Sequence, residues 1–531
     1  MYYKETNMNR RTFLARSTGA MALPMLLNGL PVKAFDGPVL HRLLNGGEET
    51  DHVLVLVQLI GGNDGLNTVL PLDQYDAYTR LRSNIAIPES AALKLTDTTA
   101  LHPVMTGLRD LFQEKKVALV QGVGYPNPNL SHFRSTDIWM SGSDADKVVA
   151  NGWLGRYLGG SYPDYPAGYP NASTPDPLAI QISAVVSLAL TGLNQQSMGI
   201  ALQDPQTFYQ LVSGTEAPGS DLPSEPYART NVEYVRQVQS QSMAYSTVIK
   251  AAADKAQNKV EYPSQNQLAS QLQIVARMIA GGLKTRVYVV TLGGFDTHAA
   301  QVVDGATTTG THATLLTTVS DAMTAFQRDI EALGVQDRVV SMTFSEFGRR
   351  VASNLSLGTD HGTAAPMFVV GAPVQDGIVG VNPDLGDLDN DNLKMQIDFR
   401  QVYASVLEQW FGADPAAVRS ILFHDFATVP IIRRMPTSVD DVSSSAFGIN
   451  AIAPNPVRGT ANIRYLVNEA MDMHLAVYDN LGFHVATLVK GYVAPGSYTV
   501  PFHAEGLPSG SYLVRMGYGD RYRTWPLVVV K

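Results

Sequence analysis

The sequence has no cysteine among its 531 residues, and charged side chains make up only 16% of it. The absence of cysteine excludes disulfides and thiolate nucleophiles, and a metal site would need His, Asp, Glu, carbonyl or water ligands. No block of Lys or Arg follows the N-terminal segment, and the formal net charge is −9. Nucleic acid is therefore not an expected partner. Hydrophobic residues at 45% indicate a folded chain with a large core.

The N-terminal segment lacks an apolar run long enough to cross a bilayer. Its apolar stretch, residues 18–30, is shorter than the roughly 20 residues that a membrane-spanning helix needs. With basic residues before this stretch and Ala34 after it, residues 1–34 have the three parts of an export signal. Residues 10–14, Arg-Arg-Thr-Phe-Leu, are typical of a twin-arginine signal; the alternative is a chance arginine pair in an ordinary secretory signal. We expect export into the periplasm and then to the cell surface or the medium, with no transmembrane segment in the mature chain.

Between residues 45 and 430, short apolar runs alternate with long helical patterns. The runs are rich in Val and nearly continuous, which favours strands buried on both faces of a parallel sheet. They are Val53–Ile60, Val117–Val123, Arg286–Leu292, Arg338–Phe344 and Met367–Gly371. The helical patterns are Val232–Ala256, Gln265–Ala280, Ala313–Leu333 and Phe399–Trp410. This alternation predicts a doubly wound α/β domain with a mostly parallel sheet.

Carboxylates and imidazoles collect beside the ends of these predicted strands. The candidate ligands are Asp64, Asp296, His298, Glu346, Asp360 and His361. Because ligands bind beyond the C-terminal ends of the strands in such sheets, we expect these side chains to surround one cavity. Carboxylate and imidazole ligands suit a divalent ion such as Zn or Mn, and one or two ions are equally compatible with the pattern.

The same segments resemble a known family. Five short motifs carry the resemblance. In chain order they are Gly-Gly-Asn-Asp-Gly from Gly61, Ser-His-Phe from Ser131, Phe-Asp-Thr-His from Phe295, Ser-Glu-Phe-Gly-Arg from Ser345 and Thr-Asp-His-Gly from Thr359. Behind a twin-arginine-like signal, this order resembles the "domain of unknown function fifteen-oh-one" family. That family is similar in architecture to the alkaline phosphatase and sulfatase superfamily, so the resemblance implies a fold of that type.

The resemblance also implies roles for individual residues. Asp64 and His361 would hold one metal, and Asp296 and His298 would hold the other. Ser131, at the start of a helix, would be the nucleophile. A second cation or Arg349 would stabilise charge on a phosphoryl or sulfuryl oxygen in the transition state. The chain departs from the superfamily pattern where Glu346 replaces part of an Asp-His pair, and Asp296 and His298 are more closely spaced. These departures leave one metal as plausible as two.

Some of these residues also have structural explanations. Asp64 could complete a turn between glycines, and Ser131 could serve only as a helix N-cap. Glu346 and Arg349, three residues apart, could form an ion pair on a helix surface.

From about residue 450 the pattern changes to short alternating strands. The alternating runs predict a β-sandwich over residues 450–531. They are Ala461–Val467, His474–Asp479, Gly496–Phe502, Tyr512–Met516 and Pro526–Val530. The Ser-rich residues 431–449 are predicted to form a linker. Four short motifs, beginning at Pro454, Val477, Leu507 and Val528, resemble the C-terminal sorting domain of type IX secretion cargo. That resemblance implies the secretion machinery as a partner; the alternative is an immunoglobulin-like or carbohydrate-binding accessory domain.

Two functions are compatible with these features. The carboxylate and imidazole cluster favours a metal-dependent hydrolase of small phosphate or sulfate esters. The signal-like segment and the C-terminal motifs indicate that this hydrolase is exported and sorted to the surface. The alternative is a non-catalytic surface protein that keeps the hydrolase fold and binds a glycan or another polymer. The two departures from the superfamily pattern favour that alternative.

Overall fold

The computed structural model describes residues 50–163, 165–213, 224–433, 447–479, 484–518 and 521–531, together with two short strands near the N-terminus. These residues fall into two compact units that divide between Arg433 and Arg434. Apart from those two strands, the predicted export signal lies outside the described residues, as does most of the predicted linker. None of the helices that the structure describes is long and apolar enough to span a membrane.

The first unit is organised around one large sheet. The strands up to residue 433 are β1 (Leu26–Leu27), β2 (Leu30–Pro31), β3 (Val53–Leu59), β4 (Val69–Pro71), β5 (Leu93–Lys94), β6 (Thr99–Leu101), β7 (Val117–Gly124), β8 (Ala179–Ile182), β9 (Ile200–Leu202), β10 (Val287–Leu292), β11 (Val339–Ser345), β12 (Ala365–Val370), β13 (Gly377–Val379), β14 (Leu388–Asp389), β15 (Asn392–Leu393) and β16 (Ile397–Asp398). The large sheet has the order β13-β7-β12-β11-β3-β10-β8-β9, with β16 added beside β7. The remaining strands form the small sheets β1-β2, β14-β15 and β4-β6-β5.

Helices cover both faces of the large sheet. They are α1 (Gly65–Thr68), α2 (Tyr75–Leu81), α3 (Thr106–Gln113), α4 (His132–Ser141), α5 (Trp153–Ser161), α6 (Pro205–Ser213), α7 (Pro226–Lys255), α8 (Gln267–Ala280), α9 (Thr311–Ala332), α10 (Phe399–Ser405) and α11 (Pro415–Leu422). A π-helical turn at Val406–Trp410 continues α10, and short 3₁₀ turns lie at Leu72–Gln74, Glu89–Ala91, Leu188–Leu190 and Gln336–Arg338.

Alternate residues of the central strand β3 belong to two separate apolar cores. Leu54 and Leu56 pack with α4, α5, α10 and α11, whereas Val55 and Val57 pack with α3, α7, α8 and α9. A strand buried on both faces needs apolar residues at every position, which explains the unbroken Val-rich runs. The predicted α/β class with a mostly parallel sheet is thereby confirmed.

The fifth predicted strand runs against the others, which is a correction to the expected parallel order. β12 pairs antiparallel with both β11 and β7, whereas all other neighbours in the large sheet are parallel. The connection from β11 to β12, residues 346–364, contains no helix. A parallel neighbour would need a crossover, usually helical, to return the chain to the opposite edge of the sheet. Residues 346–364 therefore stay at the edge where β11 ends.

The second unit consists of two antiparallel sheets. Its strands are β17 (Phe447–Ala453), β18 (Thr460–Val467), β19 (Met471–Asp479), β20 (His484–Val493), β21 (Gly496–His503), β22 (Gly510–Tyr518) and β23 (Arg521–Val529). The sheet orders are β17-β18-β21 and β20-β19-β22-β23. Apolar side chains from both sheets, such as Ile463 and Val477, form one core that is separate from those of the first unit. The alternating burial along β18 explains why its period-two pattern could be read from the sequence.

Candidate metal centre

Three neighbouring strands of the large sheet end at the same level. Leu59 at the end of β3 is in register with Leu292 of β10 on one side and with Ser345 of β11 on the other. The loops that follow these three residues therefore leave the sheet together. Ligands in open α/β sheets usually bind beyond the C-terminal ends of the strands, which is where these loops lie.

Three histidines meet at the carboxylate of Asp296 in this region. The Nε2 atoms of His298 and His361 lie 3.1 and 3.2 Å from Asp296 Oδ1. The Nε2 atom of His132, in the first turn of α4, lies 3.5 Å from Asp296 Oδ2. The structure thus brings Asp296, His298 and His361 together, as predicted from their strand-end positions, and adds His132 to them.

Each of the three imidazoles is held through its other nitrogen. His132 Nδ1 donates to Glu346 Oε1 at 2.8 Å, and His361 Nδ1 donates to the Leu130 carbonyl at 2.8 Å. His298 Nδ1 donates to Asp360 Oδ1 at 3.1 Å. Because these partners can only accept, each ring carries a hydrogen on Nδ1 and, when neutral, presents a lone pair on Nε2. Metal-bound histidines are commonly oriented by this type of hydrogen bond.

The lone pairs of this cluster face one another, which fits a bound cation. The Nε2 atoms of His298 and His361 are only 2.9 Å apart, a distance that favours a proton or a metal ion between them. His132 Nε2 is buried and has no hydrogen-bond partner among the residues that the structure describes. Donor atoms of His132, Asp296 and His361 all lie within 4.8 Å of one another. Imidazole nitrogens with a carboxylate oxygen are ligands suited to Zn or Mn, so the residues present fit a divalent ion.

Arg349 fixes the position and charge of Asp296. Its Nη2 lies 2.6 Å from Asp296 Oδ1, and its guanidinium also donates to the backbone carbonyls of Gly61, Gly62, Phe295 and Thr359. Burial acts to raise the pKa of Asp296, but the hydrogen bond and charge of Arg349 outweigh it and hold that pKa below its ordinary value. Arg349 is 1% exposed and its bonds are directed to the protein. This geometry favours a structural role for Arg349, which holds the loops in place. It does not favour the predicted role, in which Arg349 contacts the substrate.

Glu346 and Asp360 contact the imidazoles from outside the cluster. Glu346 is completely buried, and Oε1 accepts hydrogen bonds from the Gly61 amide and from His132 Nδ1. The structure gives Glu346 no ion pair with Arg349. Burial acts to raise the pKa of Asp360, but hydrogen bonds from His298 and Asn354 outweigh it and lower that pKa. Both carboxylates therefore orient histidines in this structure, although the sequence pattern predicted them as direct ligands.

Asp64 lies behind the cluster and does not reach it. Both of its oxygens accept hydrogen bonds from Arg82 Nη1, at 2.9 and 2.7 Å, and neither side chain is exposed. Burial acts to raise the pKa of Asp64, but the charge of Arg82 outweighs it and the pKa is lowered. The carboxylate is thus used in a buried ion pair, which differs from its predicted role as a ligand.

A buried amide links Asp64 to the two loops that carry the histidines. Gln301 Nε2 donates to Asp64 Oδ2 at 2.6 Å. Gln301 Oε1 accepts hydrogen bonds from the hydroxyls of Thr297 and Thr359, both at 2.9 Å. Thr297 lies between Asp296 and His298, and Thr359 precedes Asp360 and His361 in the chain. Asp64 therefore supports the site through Gln301, without contributing a ligand.

Ser131 occupies the N-cap position of α4. Its hydroxyl makes no N-cap hydrogen bond, the residue is exposed, and none of the described residues gives it a hydrogen-bonded base. Ser135, one turn later, is tied to Tyr125 and to the Glu346 carbonyl. The more informative residue in this segment is His132, which sequence reasoning missed. An imidazole directly after the predicted helix start was the available signal.

Close approach of the loops depends on glycine. Gly61 has φ of 122°, and a Cβ there would lie 2.4 Å from the Asp296 amide nitrogen. A Cβ at Gly358 would lie 2.4 Å from the backbone of His298. Larger residues at these positions would separate the loops that bring Asp296, His298 and His361 together.

The fold and site define an α/β protein with a candidate metal centre at the C-terminal ends of its central strands. The model of the family described as "Protein of unknown function (DUF1501)" matches residues 117–422. The match covers more than half of the chain, and the chain belongs to this family. The family resemblance inferred from the sequence motifs is therefore confirmed. No curated protein matches the chain.

The chain shows a weak structural similarity to several solved structures. A protein in the alkaline phosphatase superfamily from Vibrio parahaemolyticus is 9% identical, with a TM-score of 0.33, and the match covers 85% of this chain and 79% of that one. PsFucS1 sulfatase from Pseudoalteromonas sp. is 10% identical, with a TM-score of 0.33 and coverages of 87% and 85%. Phosphonate monoester hydrolase SpPMH from Silicibacter pomeroyi is 10% identical, with a TM-score of 0.29 and coverages of 89% and 88%. The assignment of site residues rests on the geometry described above.

Proposed function

We propose that the large unit is a metal-dependent hydrolase of phosphate or sulfate esters. His132, His298, His361 and Asp296 would hold one divalent ion. The observation that carries this proposal is the convergence of three Nε2 atoms on one carboxylate, with every Nδ1 already bound to an acceptor. A metal site needs this combination of free donor atoms and fixed ring orientation.

The surrounding residues have distinct tasks in the proposed hydrolase. A divalent ion would supply Lewis acidity toward an ester oxygen and toward an attacking hydroxyl. Glu346 holds the hydrogen of His132 on Nδ1, and Arg349 keeps Asp296 ionised and in place. Ser131 remains the candidate nucleophile, because its hydroxyl is exposed and directly precedes His132.

A second candidate function is the non-catalytic surface binder. It is favoured by the absence of a hydrogen-bonded base for the Ser131 hydroxyl among the described residues. The commitment of Arg349 to protein carbonyls and to Asp296 favours the same reading, because it reduces the protein's capacity to bind an anionic ester.

Metal content and ester turnover, measured on the same preparation of the full chain, test the proposal. We expect about one divalent ion per chain by elemental analysis. We also expect hydrolysis of at least one aryl phosphate or aryl sulfate, which a chelator abolishes and the same metal restores. Metal without turnover would favour the binder, and a chain that takes up no metal under any loading condition would refute the proposal.

We further propose that the chain is exported, and that the second unit directs it to the cell surface through the type IX secretion machinery. The signal-like residues 1–34 and the four C-terminal motifs support this proposal. Part of the second motif, residues 480–482, lies outside the described residues.

Deleting residues 434–531 should leave the first unit folded and abolish surface delivery. The two units have separate apolar cores, so the truncated chain keeps all the contacts of its own core. Thermal melting and cell fractionation would measure the two effects, and deletion of residues 1–34 serves as the control that should stay in the cytoplasm. Loss of the cooperative melt would contradict independent folding, and unchanged surface delivery would contradict the sorting role.

A further inference from the structure

A cleft of mixed polar and apolar surface is lined in part by the loop that leads into α4. It has a volume of about 490 Å³ and is lined by Pro126, Asn127, Asp144, Ala145, Asp146 and Arg400. This volume is within the range of roughly 300–1,000 Å³ that small-molecule sites usually have. None of these six residues belongs to the cluster around Asp296, so the proposed hydrolase chemistry leaves the cleft without a role.

One loop and one helix connect this cleft to the metal centre. Asn127 lines the cleft, and Leu130, three residues later, accepts the hydrogen bond from His361 Nδ1. Three residues span at most about 11 Å. On helix α4, His132 faces the cluster, while Arg134 Nη2 donates to the carbonyls of Asp144 and Ala145 in the cleft wall. The Asn127 side of the cleft therefore lies within about 11 Å of Leu130, the residue that holds His361.

Arg400 provides a fixed set of donors within the cleft. The side chain is 5% exposed, and its Nε and Nη2 donate to the two oxygens of Asp398 at 2.9 and 2.7 Å. Its Nη1 lies 2.5 Å from Asp144 Oδ1. A guanidinium has five N–H groups, so two remain without a partner among the described residues. The ion pairs on either side hold the planar group in one orientation.

The other polar groups of the cleft mainly accept hydrogen bonds. Asp146 is exposed, and within the described part of the chain its one ion pair is a longer contact of 3.4 Å to Lys147. Asp144 keeps acceptor capacity beyond its contacts with Arg400 and His424. Asn127 offers an amide that both donates and accepts. Donors and acceptors thus line the same small cleft.

The charges of the cleft limit the chemistry of its ligand. Asp144 and Asp146 disfavour an anionic group on a ligand in the cleft. The positive charge of Arg400 does not compensate for this, because it is already paired with Asp398 and Asp144. The guanidinium disfavours a cation at the same place. Hydroxyl groups are neutral and can each donate and accept, so they match this set best.

We infer that the cleft binds a neutral, polyhydroxylated ring, namely a sugar residue of a carbohydrate ester whose ester group lies at the metal centre. The second half of this inference rests on the proposed hydrolase function, whereas sugar binding by the cleft does not. Binding energy from such a non-reacting sugar would position the ester for reaction.

An array of neutral and sulfated oligosaccharides, probed with the full chain before and after treatment with a chelator, tests the cleft. We expect binding of at least one neutral oligosaccharide in both states. Asp146→Ala and Asn127→Gly should each weaken it about tenfold or more. Glycine is chosen at Asn127 because this residue has φ of 54°, which glycine adopts without strain. Asp97→Ala, another exposed carboxylate, is the matched control and should change binding less than about twofold.

Turnover separates the failure of this inference from that of the proposed function. With a phosphate or sulfate ester of the bound sugar, Asp146→Ala should raise KM about tenfold and leave turnover of a small aryl ester unchanged. If the chain binds a sugar through Asp146 but hydrolyses no ester, the assignment of the cleft as a sugar site stands. Only the proposed hydrolase function is then refuted. The cleft assignment is wrong if no oligosaccharide binds, or if the Asp146→Ala and Asn127→Gly variants bind as tightly as the parent.

Discussion

Replacing His361 with alanine is expected to remove the bound divalent metal and to leave the chain folded. His361 Nε2 lies 2.9 Å from His298 Nε2 and 3.2 Å from Asp296 Oδ1, which is the centre of the proposed ligand set. Loss of a residue that only orients a ligand typically costs 10–100-fold in metal affinity, so loss of a ligand should cost at least about 100-fold. Ester hydrolysis should fall in the same proportion.

The fold should tolerate this change because His361 lies in a loop and its side chain is 24% exposed. Its imidazole is hydrogen-bonded to Leu130 and lies against the rings of His132, His298 and Phe347, so we expect a loss of about 1–2 kcal/mol in the free energy of unfolding. Elemental analysis and thermal melting of the variant and the parent would measure both effects. His503→Ala, which replaces an exposed histidine of the second unit, is the control. A His361→Ala chain with a full complement of metal would show that His361 is not a ligand.

The sequence predicts five of the nine strands of the large sheet. Five Val-rich runs correspond to β3, β7, β10, β11 and β12, because a strand covered on both faces needs apolar residues throughout. Asp296 and His298 could be placed because they directly follow such a run. His361 could be placed at the same edge only by assuming convergence, since a residue that precedes a parallel strand would lie at the opposite edge. The antiparallel direction of β12 supplies the physical reason for its position.

The roles of the other predicted residues depend on partners outside their own sequence motifs. Asp64 is paired with Arg82, 18 residues later in the chain, and Glu346 is bonded to His132, 214 residues earlier. A buried carboxylate beside a metal and one in an ion pair have the same local sequence pattern, so spacing could not separate these roles. His132 was overlooked because the neighbouring serine matched the expected position of a nucleophile. Its function becomes visible only when its Nε2 atom is seen to face Asp296.

The sequence pattern likewise did not reveal that Arg349 bonds to backbone carbonyls. Its replacement is expected to have the largest effect on stability. Arg349→Ala should lower the free energy of unfolding by about 3–5 kcal/mol, because it removes a buried guanidinium and each buried acceptor left unpaired costs about 1–3 kcal/mol. The change would leave carbonyls of Gly61, Gly62 and Thr359 without the donor that Arg349 supplies, in loops that are packed against each other. Denaturant unfolding of the metal-stripped protein would measure this loss without any contribution from metal binding.

Two further variants make the result specific. Arg349→Lys keeps the charge near Asp296 but cannot reproduce the planar set of donors, so it should recover only part of the lost stability. Arg419→Ala removes an arginine whose side chain is 65% exposed and should change the free energy of unfolding by less than about 0.5 kcal/mol. If Arg349 instead stabilises the ester in the transition state, Arg349→Ala should unfold like the parent and lose only turnover. The hydrogen bonds from the guanidinium to backbone carbonyls favour a loss of stability in Arg349→Ala. N–H groups that are bonded to the backbone are not available to bind the ester in the transition state.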